Sequence, residues 1–305
     1  MTIKQHTVLI TGLRGFTGHY LVAALRANGA KVVGLVQGSP QSSEEIACEL
    51  TDAQAVRAAV AQVRPTHVVH LAALAFVGHA DVRAFYDVNL FGTLNLLEAL
   101  AALPELPRKV LIASSANIYG TPGVEVIDES VCPAPVNHYA CSKLAMEHMV
   151  RTWFDRLPIV MTRPFNYTGV GQDEKFLIPK IVSHFKRRAA KIELGNLDVS
   201  RDFSDVRDVA AAYMGLLETD VRSEVFNVCS GKAVALRTVL DIMTRKTGHA
   251  MAVEVNPAFV RPNEIPVLRG SHHKLTEAIG FAPRHALEDT LAWMLQGDTP
   301  LGAVA

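Results

Sequence analysis

The chain has 305 residues, of which 49% are hydrophobic and 20% charged, and its 30 basic side chains equal its 30 acidic ones. This composition is typical of a globular protein, and the balanced charge excludes a global attraction to nucleic acid or to an anionic membrane. The cysteines form no C-x-x-C pair, and there is no signal-peptide pattern and no apolar run of about 18 residues. We therefore expect a cytoplasmic protein of one large or two modest domains, in which any anion is bound by local groups.

The first elements carry a glycine-rich turn. Residues 7–12 (TVLITG) predict a buried strand, and the turn from Gly12 to Gly18 leads into a helical pattern that ends at Gly29. Glycines allow the backbone to approach a ligand closely, and a helix N-terminus offers N–H groups to a pyrophosphate. This order predicts a dinucleotide site, with an ordinary glycine-rich loop as the alternative. The predicted cofactor contacts in the turn are Gly12, Arg14, Gly15, Phe16 and Gly18.

The second strand bears on the type of cofactor. Residues 31–36 (KVVGLV) predict this strand, and Gln37 follows it where sites for NAD usually carry Asp or Glu. Without a carboxylate there, Arg14 is available to pair with a 2′-phosphate. The alternative is that Arg14 is a solvated loop residue. NADP(H) is favoured and NAD(H) is possible.

Strand and helix patterns then alternate as far as Asn166. A helix is predicted over residues 52–63, a strand over 66–73, a long helix over 81–103, and strands over 109–115 and 159–166. This alternation predicts an α/β fold with a doubly wound, Rossmann-type parallel sheet.

A reactive pair lies between the last two of these strands. Tyr139 and Lys143 are four residues apart in a predicted helix that continues to Pro158, so both side chains share one helix face. A nearby ammonium group would lower the phenol pKa from about 10 and make Tyr139 an acid or base for a carbonyl/alcohol pair. Strand 109–115 delivers Ser115 to the same end of the sheet, although a helix cap is its commoner role.

After Asn166 the elements become shorter and richer in proline, glycine and charge. This change predicts a smaller α/β substrate domain. The dinucleotide-binding domain is predicted to comprise residues 1–165 and a returning segment near 204–222, and the substrate domain residues 166–203 and 223–305. No metal site is predicted, because His272 and His273 are adjacent and point in different directions.

Six motifs occur in a characteristic order: TGLRGFTG, HLAA at 70–73, Asn89 in NLFGT, SSANIYG at 114–120, YACSK, and RPFN. Together they resemble the extended short-chain dehydrogenase/reductase family of nucleotide-sugar enzymes over nearly the whole chain. The resemblance implies a Rossmann domain with a C-terminal nucleotide-sugar domain, a Ser115–Tyr139–Lys143 catalytic set, and a homodimer formed through paired helices. It also implies that Lys143 bonds the nicotinamide ribose and that Asn89 supports the active site. The remaining predicted cofactor contacts are Glu49, Leu50, Leu71, Ala72, Ala73, Asn89, Tyr139 and Lys143.

Later motifs narrow the substrate. Gly195–Asp198 (GNLD), Arg201–Phe203 (RDF) and Arg261–Glu264 (RPNE) resemble the branch that contains GDP-mannose dehydratases and GDP-4-keto-6-deoxy-mannose reductases. In this reading two arginines neutralise a diphosphate and a glutamate accepts the N–H groups of guanine. The alternatives are a surface ion pair for Arg261 and Glu264, and a turn-forming role for Asn166. The predicted substrate contacts are Ser115, Asn117, Asn166, Asn196, Arg201, Arg261 and Glu264.

Two positions separate elimination from reduction. Sugar dehydratases of this family carry acidic residues just after the position of Ser115, whereas this chain has Ala116 and Asn117. Asparagine cannot remove a C5 proton as a general base. The sequence therefore predicts NAD(P)H-dependent reduction of the 4-keto group of GDP-4-keto-6-deoxy-D-mannose, to GDP-D-rhamnose or GDP-6-deoxy-D-talose. A nucleotide-sugar epimerase or 4,6-dehydratase with retained NAD(P), and a dinucleotide-sensing binding module, are the alternatives.

Overall fold

The structure is a computed structural model that describes residues 3–78, 80–260 and 266–297. Its strands are β1 (Thr7–Thr11), β2 (Lys31–Val36), β3 (Glu45–Ala47), β4 (His67–His70), β5 (Lys109–Ala113), β6 (Ile159–Pro164), β7 (Asn166–Thr168), β8 (Lys191–Leu194), β9 (Ser200–Asp205), β10 (Glu224–Val228), β11 (Ala233–Ala235), β12 (Ala252–Val255) and β13 (Val267–Leu268). Its α-helices are α1 (Phe16–Ala27), α2 (Ala53–Val63), α3 (Val82–Tyr86), α4 (Gly92–Ala101), α5 (His138–Arg151), α6 (Leu177–Lys186), α7 (Val206–Leu217), α8 (Leu236–Thr247), α9 (His273–Ile279) and α10 (Leu287–Gln296). A π-helical turn (Asp87–Phe91) joins α3 to α4, and 3-10 helices lie at Ala116–Tyr119 and Pro257–Phe259.

Seven parallel strands form the central sheet, in the order β10-β6-β5-β4-β1-β2-β3. The order reverses between β1 and β4, and ligands of open α/β sheets bind at the carboxyl ends of the strands beside such a reversal. The predicted Rossmann-type α/β fold is confirmed.

Apolar side chains cover both faces of this sheet. Leu9, Val68 and Ile112 belong to the core on one face, while their sequence neighbours Ile10, Val69 and Leu111 belong to the core on the other. Alternate residues of a strand point to opposite faces, so a strand buried on both sides needs a continuous apolar run. This requirement explains why these strands were readable in the sequence.

The returning segment is longer than the sequence predicted. Strand β10 (Glu224–Val228) pairs with β6 at the edge of the central sheet, so this segment continues past residue 222 to residue 228. Its apolar side chains cover the end of the core, and Leu275 of α9 packs in the same cluster. The predicted division places residue 223 onward in the substrate domain, whereas β10 lies in the central sheet, and the division itself stays a prediction.

The remaining elements form smaller units around a separate apolar cluster. Strands β11, β9, β13 and β7 form one sheet and β12 and β8 another, and side chains of α6, α8 and α10 share a core that includes Ile181, Val239 and Leu291. Within the described ranges, no helix combines the length and the apolar character needed to span a membrane.

Candidate active site

A cradle of glycines lies between β1 and α1. A Cβ atom on Gly18 would lie 2.3 Å from the carbonyl oxygen of Leu13 and 2.4 Å from that of Gly12, which is closer than real Cβ contacts. Gly12 has φ +75°, and its Cβ would lie 2.8 Å from the backbone nitrogen of Ala72. Only glycine fits either position. The cradle leaves backbone free to approach a pyrophosphate at the N-terminus of α1, so the residues present fit a dinucleotide.

A cleft of about 320 Å³ opens beside this cradle, at the carboxyl ends of β1, β4, β5 and β6. The hydroxyl oxygen of Ser114, which lines the cleft, is buried and has no hydrogen-bond partner among the described residues. Such an orphaned hydroxyl fits a ligand that brings its own polar group. The predicted site residues that line the cleft are Gly12, Gly15, Phe16, Gly18, Leu71, Ala73, Ser115, Asn117, Tyr139, Lys143 and Asn166.

Ser115 both caps a helix and faces the cleft. Its Oγ accepts hydrogen bonds from the backbone N–H of Asn117 at 3.2 Å and from the Asn117 Nδ2 at 3.3 Å, which begins the 3-10 helix Ala116–Tyr119. The two roles that the sequence left open are therefore compatible. Because Oγ acts as an acceptor in both bonds, its own proton can be donated to an oxygen in the cleft, either that of the Tyr139 phenol or that of a ligand.

Tyr139 and Lys143 lie on the first turns of α5 and are both buried. Lys143 Nζ donates to the carbonyl oxygen of Ala113 at 2.8 Å, and burial lowers the pKa of this amine to about 8, against an opposing effect of Glu147. Burial also raises the pKa of the Tyr139 phenol to about 12, and a hydrogen bond with Ser115 only partly offsets this. The net pKa of the phenol is thus raised in the protein alone, not lowered as the sequence predicted, because desolvation is the largest cause and Lys143 is not among the causes. Tyr139 is protonated at neutral pH, as a proton donor must be.

Asn89 acts from behind the cleft. Its side chain is fully buried in the π-helical turn, where Oδ1 accepts from the Leu74 N–H at 2.9 Å and Nδ2 donates to Ser142 Oγ at 3.0 Å. Ser142 Oγ in turn donates to the Tyr139 carbonyl oxygen at 2.8 Å. This side chain therefore supports α5 and the loop after β4 and does not line the cleft, and its direct contact with cofactor stays a prediction.

Three further predicted cofactor residues also lie away from the cleft lining. Glu49 is exposed and accepts from Gln37 Nε2 at 2.9 Å, whereas the side chain of Leu50 is part of the core. The backbone of Ala72 lies close to Gly12. Spacing along the chain does not reveal these tertiary contacts, and the cofactor roles of the three residues stay predictions.

Arg14 is bound to a carboxylate that the sequence analysis overlooked. Its Nε donates to Glu45 Oε1 at 3.1 Å and its Nη2 to Glu45 Oε2 at 2.6 Å, while Nη2 also donates to the Ser39 carbonyl oxygen at 2.8 Å. Glu45 lies on β3, the edge strand beside β2. The expectation that no acidic residue stands near the end of β2 is therefore wrong, because tertiary pairing brings one there from later in the chain.

Only some of the predicted substrate residues line the cleft. Asn166 is exposed at the cleft, but the Oδ1 of Asn196 accepts from the Asp198 N–H at 2.9 Å and so closes a local turn. Arg201 Nη1 donates to the carbonyl oxygens of Ser200 at 2.9 Å and Pro266 at 3.3 Å. Neither Asn196 nor Arg201 lines the cleft. Arg261 and Glu264 lie outside the described residues.

The segment after β6 supplies cleft residues that the sequence analysis missed. The Tyr167 ring stacks on Phe16 with a centroid separation of 5.9 Å, and its hydroxyl lies 2.7 Å from Thr17 Oγ1. Gln172 Nε2 donates to the Tyr167 carbonyl oxygen at 3.2 Å, and the buried Gln172 Oε1 has no partner among the described residues. Phe176 completes this side of the cleft. Tyr167 directly follows the RPFN motif, a usable signal, but nothing in the sequence singles out Gln172 or Phe176.

The parallel sheet, the glycine cradle and the buried Ser–Tyr–Lys set together define an extended short-chain dehydrogenase/reductase. The family model described as GDP-mannose 4,6 dehydratase matches residues 9–294. The chain belongs to this enzyme family.

Two curated proteins and two solved structures are similar to this chain. A GDP-6-deoxy-D-talose 4-dehydrogenase of Aggregatibacter actinomycetemcomitans is 36% identical over 274 residues, 90% of this chain and 91% of that protein. A GDP-6-deoxy-D-mannose reductase of Pseudomonas aeruginosa is 33% identical over 305 residues, 94% of this chain and 95% of that protein. A solved structure of RMD from Pseudomonas aeruginosa with NADPH matches with a TM-score of 0.84 and 31% identity, covering 96% of this chain and 98% of that one. A structure from Burkholderia cenocepacia J2315, described as a candidate epimerase, matches with a TM-score of 0.89 and 49% identity, covering 96% and 98% of the two chains.

Proposed function

We propose that this protein reduces the 4-keto group of GDP-4-keto-6-deoxy-D-mannose with a nicotinamide cofactor, NADPH being favoured, and forms GDP-D-rhamnose or GDP-6-deoxy-D-talose. The observation that carries the proposal is the protonated, buried Tyr139 beside Ser115, with Ala116 and Asn117 where elimination would need an acidic group. Two similar proteins are named for oxidation or reduction of a GDP-6-deoxy sugar, which agrees with this chemistry.

The side chains have complementary roles in the reduction. Gly12, Gly15 and Gly18 would hold the pyrophosphate, and the bound cofactor supplies a hydride to the carbonyl carbon. Ser115 donates a hydrogen bond to the keto oxygen and so stabilises the negative charge that develops there. Tyr139 transfers its proton to that oxygen, and the Lys143 ammonium stabilises the phenolate that remains.

Elimination of water has weak support at this site. The Asn117 amide donates to Ser115 Oγ, and Ala116 is apolar and buried. Neither side chain can accept a proton from a sugar carbon. An epimerase is the second candidate, because the Burkholderia structure with 49% identity is described as one. An epimerase would return the hydride to the same sugar and consume no cofactor.

The absorbance of NADPH distinguishes these functions. We expect purified protein to consume NADPH when given GDP-4-keto-6-deoxy-D-mannose and to leave it unchanged with GDP-mannose alone. NMR of the product then assigns the C4 configuration. Stable NADPH with the keto sugar would exclude the reductase, and conversion of GDP-mannose without added reductant would show a dehydratase or an epimerase.

The reduction should lose rate on the alkaline side of pH 8. Burial lowers the pKa of Lys143 to about 8, so its ammonium form is lost above that pH, whereas Tyr139, with a pKa of about 12, keeps its proton. We expect kcat/KM for the cofactor, which reports ionisations of the free enzyme, to be level near neutrality and to fall as the pH rises through about 8. In the Lys143→Arg variant, whose guanidinium stays charged, any residual activity should lack this decline. A wild-type profile that stays level to about pH 9.5 would contradict the role of Lys143.

A homodimer and a cytoplasmic location complete the proposal. Val82 and Phe91, in the segment of α3 and the π-helical turn, have 41% and 50% of their surface exposed, and the family resemblance implies helix pairing between subunits. Exposed apolar side chains on one helical segment are suited to such an interface. Sedimentation velocity of the whole protein checks the first point, and cell fractionation checks the second.

A further inference from the structure

Arg14 and Glu45 form an ion pair at the rim of the dinucleotide cradle. The guanidinium contacts both carboxylate oxygens through Nε and Nη2, and this bidentate geometry is the strongest available to an arginine–carboxylate pair. The Ser39 carbonyl oxygen takes a further N–H group of Nη2, and Glu45 Oε2 also accepts from the Gln41 N–H at 2.5 Å. Arg14, the loop after β2 and β3 are therefore tied together by one carboxylate.

The surroundings keep this carboxylate charged and engaged. The Glu45 side chain is only 7% exposed, and its hydrogen bond with Arg14 holds the pKa of its carboxyl group below the ordinary value. The next arginine, Arg26, pairs with Glu44. Arg14 and Arg26 are thus each paired with a glutamate, Glu45 and Glu44. A phosphate bound here would therefore gain less electrostatic attraction than it would from an unpaired arginine.

NADP(H) differs from NAD(H) only in the phosphate on the adenosine 2′-oxygen, which needs a cation near the end of β2. Arg14 extends from the glycine-rich turn to this region, where it bonds to Ser39 just after β2. Arg14 donates to Glu45 and Ser39 through its Nε and Nη2, so a 2′-phosphate would approach the same guanidinium from the side of Nη1. Glu45 has already neutralised the charge of that guanidinium, and two anions at one cation repel each other. A 2′-hydroxyl is uncharged and meets no such repulsion.

We propose that Glu45 competes with the 2′-phosphate of NADP(H) for Arg14, and that this internal ion pair sets how strongly the protein discriminates NADPH from NADH. The inference rests on the nicotinamide cofactor of the proposed function but does not depend on the sugar substrate. Glu45 is a specificity-determining residue that acts through Arg14. Glu45 weakens the preference for NADPH over NADH that Arg14 alone would make strong.

Calorimetric titration of the whole protein with NADPH and with NADH, at one fixed ionic strength, tests the inference without any sugar. We expect Glu45→Gln to tighten NADPH binding about tenfold and to leave NADH binding within about twofold, since one charge-assisted contact corresponds to about that factor. Glu44→Gln is the matched control, with the same charge change one residue away, and should alter neither affinity. In a protein that also carries Arg14→Met, Glu45→Gln should no longer change NADPH binding.

Two results would overturn the inference. The first is an unchanged NADPH affinity in Glu45→Gln while NADH still binds, which shows that the variant is folded. The second is an equal gain in the presence and absence of Arg14, which would mean that the carboxylate acts through the general field. A failure of keto-sugar reduction, by contrast, would leave these cofactor affinities untouched and would count against the proposed function alone.

Discussion

Replacement of Tyr139 by phenylalanine should lower kcat for keto-sugar reduction by about 10²–10⁴-fold, the usual contribution of a positioned general acid. The phenol is the protonated group that lies beside Ser115 in the cleft, and phenylalanine keeps the ring while removing the proton. Because the ring packs against Phe85, the fold should persist. Turnover measured at saturating sugar and cofactor separates this loss from a change in binding.

Tyr86→Phe is the matched control for that experiment. Tyr86 lies on α3, outside the cleft lining, and its hydroxyl lies 3.2 Å from Nδ1 of His138 at the start of α5. The same loss of a hydroxyl there should leave kcat within about twofold, because surface substitutions away from a site have small effects. Normal turnover of Tyr139→Phe, with cofactor still bound, would remove Tyr139 from the mechanism.

Replacement of Arg163 by methionine should destabilise the protein by about 3–5 kcal/mol, the cost of leaving a buried charge without its partner. Arg163 donates to Glu147 through Nε at 3.0 Å and Nη2 at 2.7 Å, and the two side chains are 3% and 0% exposed. Its Nη1 also donates to the Tyr119 hydroxyl at 2.8 Å. Methionine would remove the two short hydrogen bonds that the buried Glu147 carboxylate accepts and leave it only the 3.5 Å contact with Arg151. Chemical denaturation of the whole chain measures the difference.

Arg151 offers an internal control, because it contacts the same carboxylate. Its Nη2 lies 3.5 Å from Glu147 Oε2, but its side chain is 38% exposed. Arg151→Met should cost less than about 1 kcal/mol, as exposed ion pairs do. Equal losses for the two variants would show that burial does not decide the strength of these pairs. Glu147→Gln combined with Arg163→Met should recover part of the stability, since both charges are then removed.

Much of the central sheet could be predicted because its signals are local. Strand β2 has the predicted bounds, since an apolar run is visible within a short window. Strand β3 was missed because its three residues include a glutamate and no long apolar run; it forms by pairing with Gly34–Val36 of β2. Helix α5 ends at Arg151, and the chain makes turns before Pro158 where a continued helix was predicted.

The site residues, too, were predictable only where local signals place them. Ser115, Tyr139 and Lys143 could be predicted because one strand end and one helix face bring them together. Gln172 and Phe176 reach the cleft only because the segment after β7 crosses it, and Glu45 reaches Arg14 only through the pairing of β3. The Tyr139 pKa was predicted in the wrong direction because spacing reveals a neighbouring charge but not the depth of burial.

The placement of β10 means that no single cut separates the sheet from the units that follow it. After β6 the chain forms strands outside the central sheet, α7 (Val206–Leu217) then packs against the core on one face of that sheet, and residues 224–228 form its outermost strand beside β6. A gene fragment that stopped after β6 would expose the backbone donors and acceptors of a long apolar strand, a surface prone to pairing with other chains. Exchange of the units outside the central sheet between relatives therefore has to transfer at least two chain segments at once, and during synthesis the edge of the sheet stays open until residue 228 has left the ribosome.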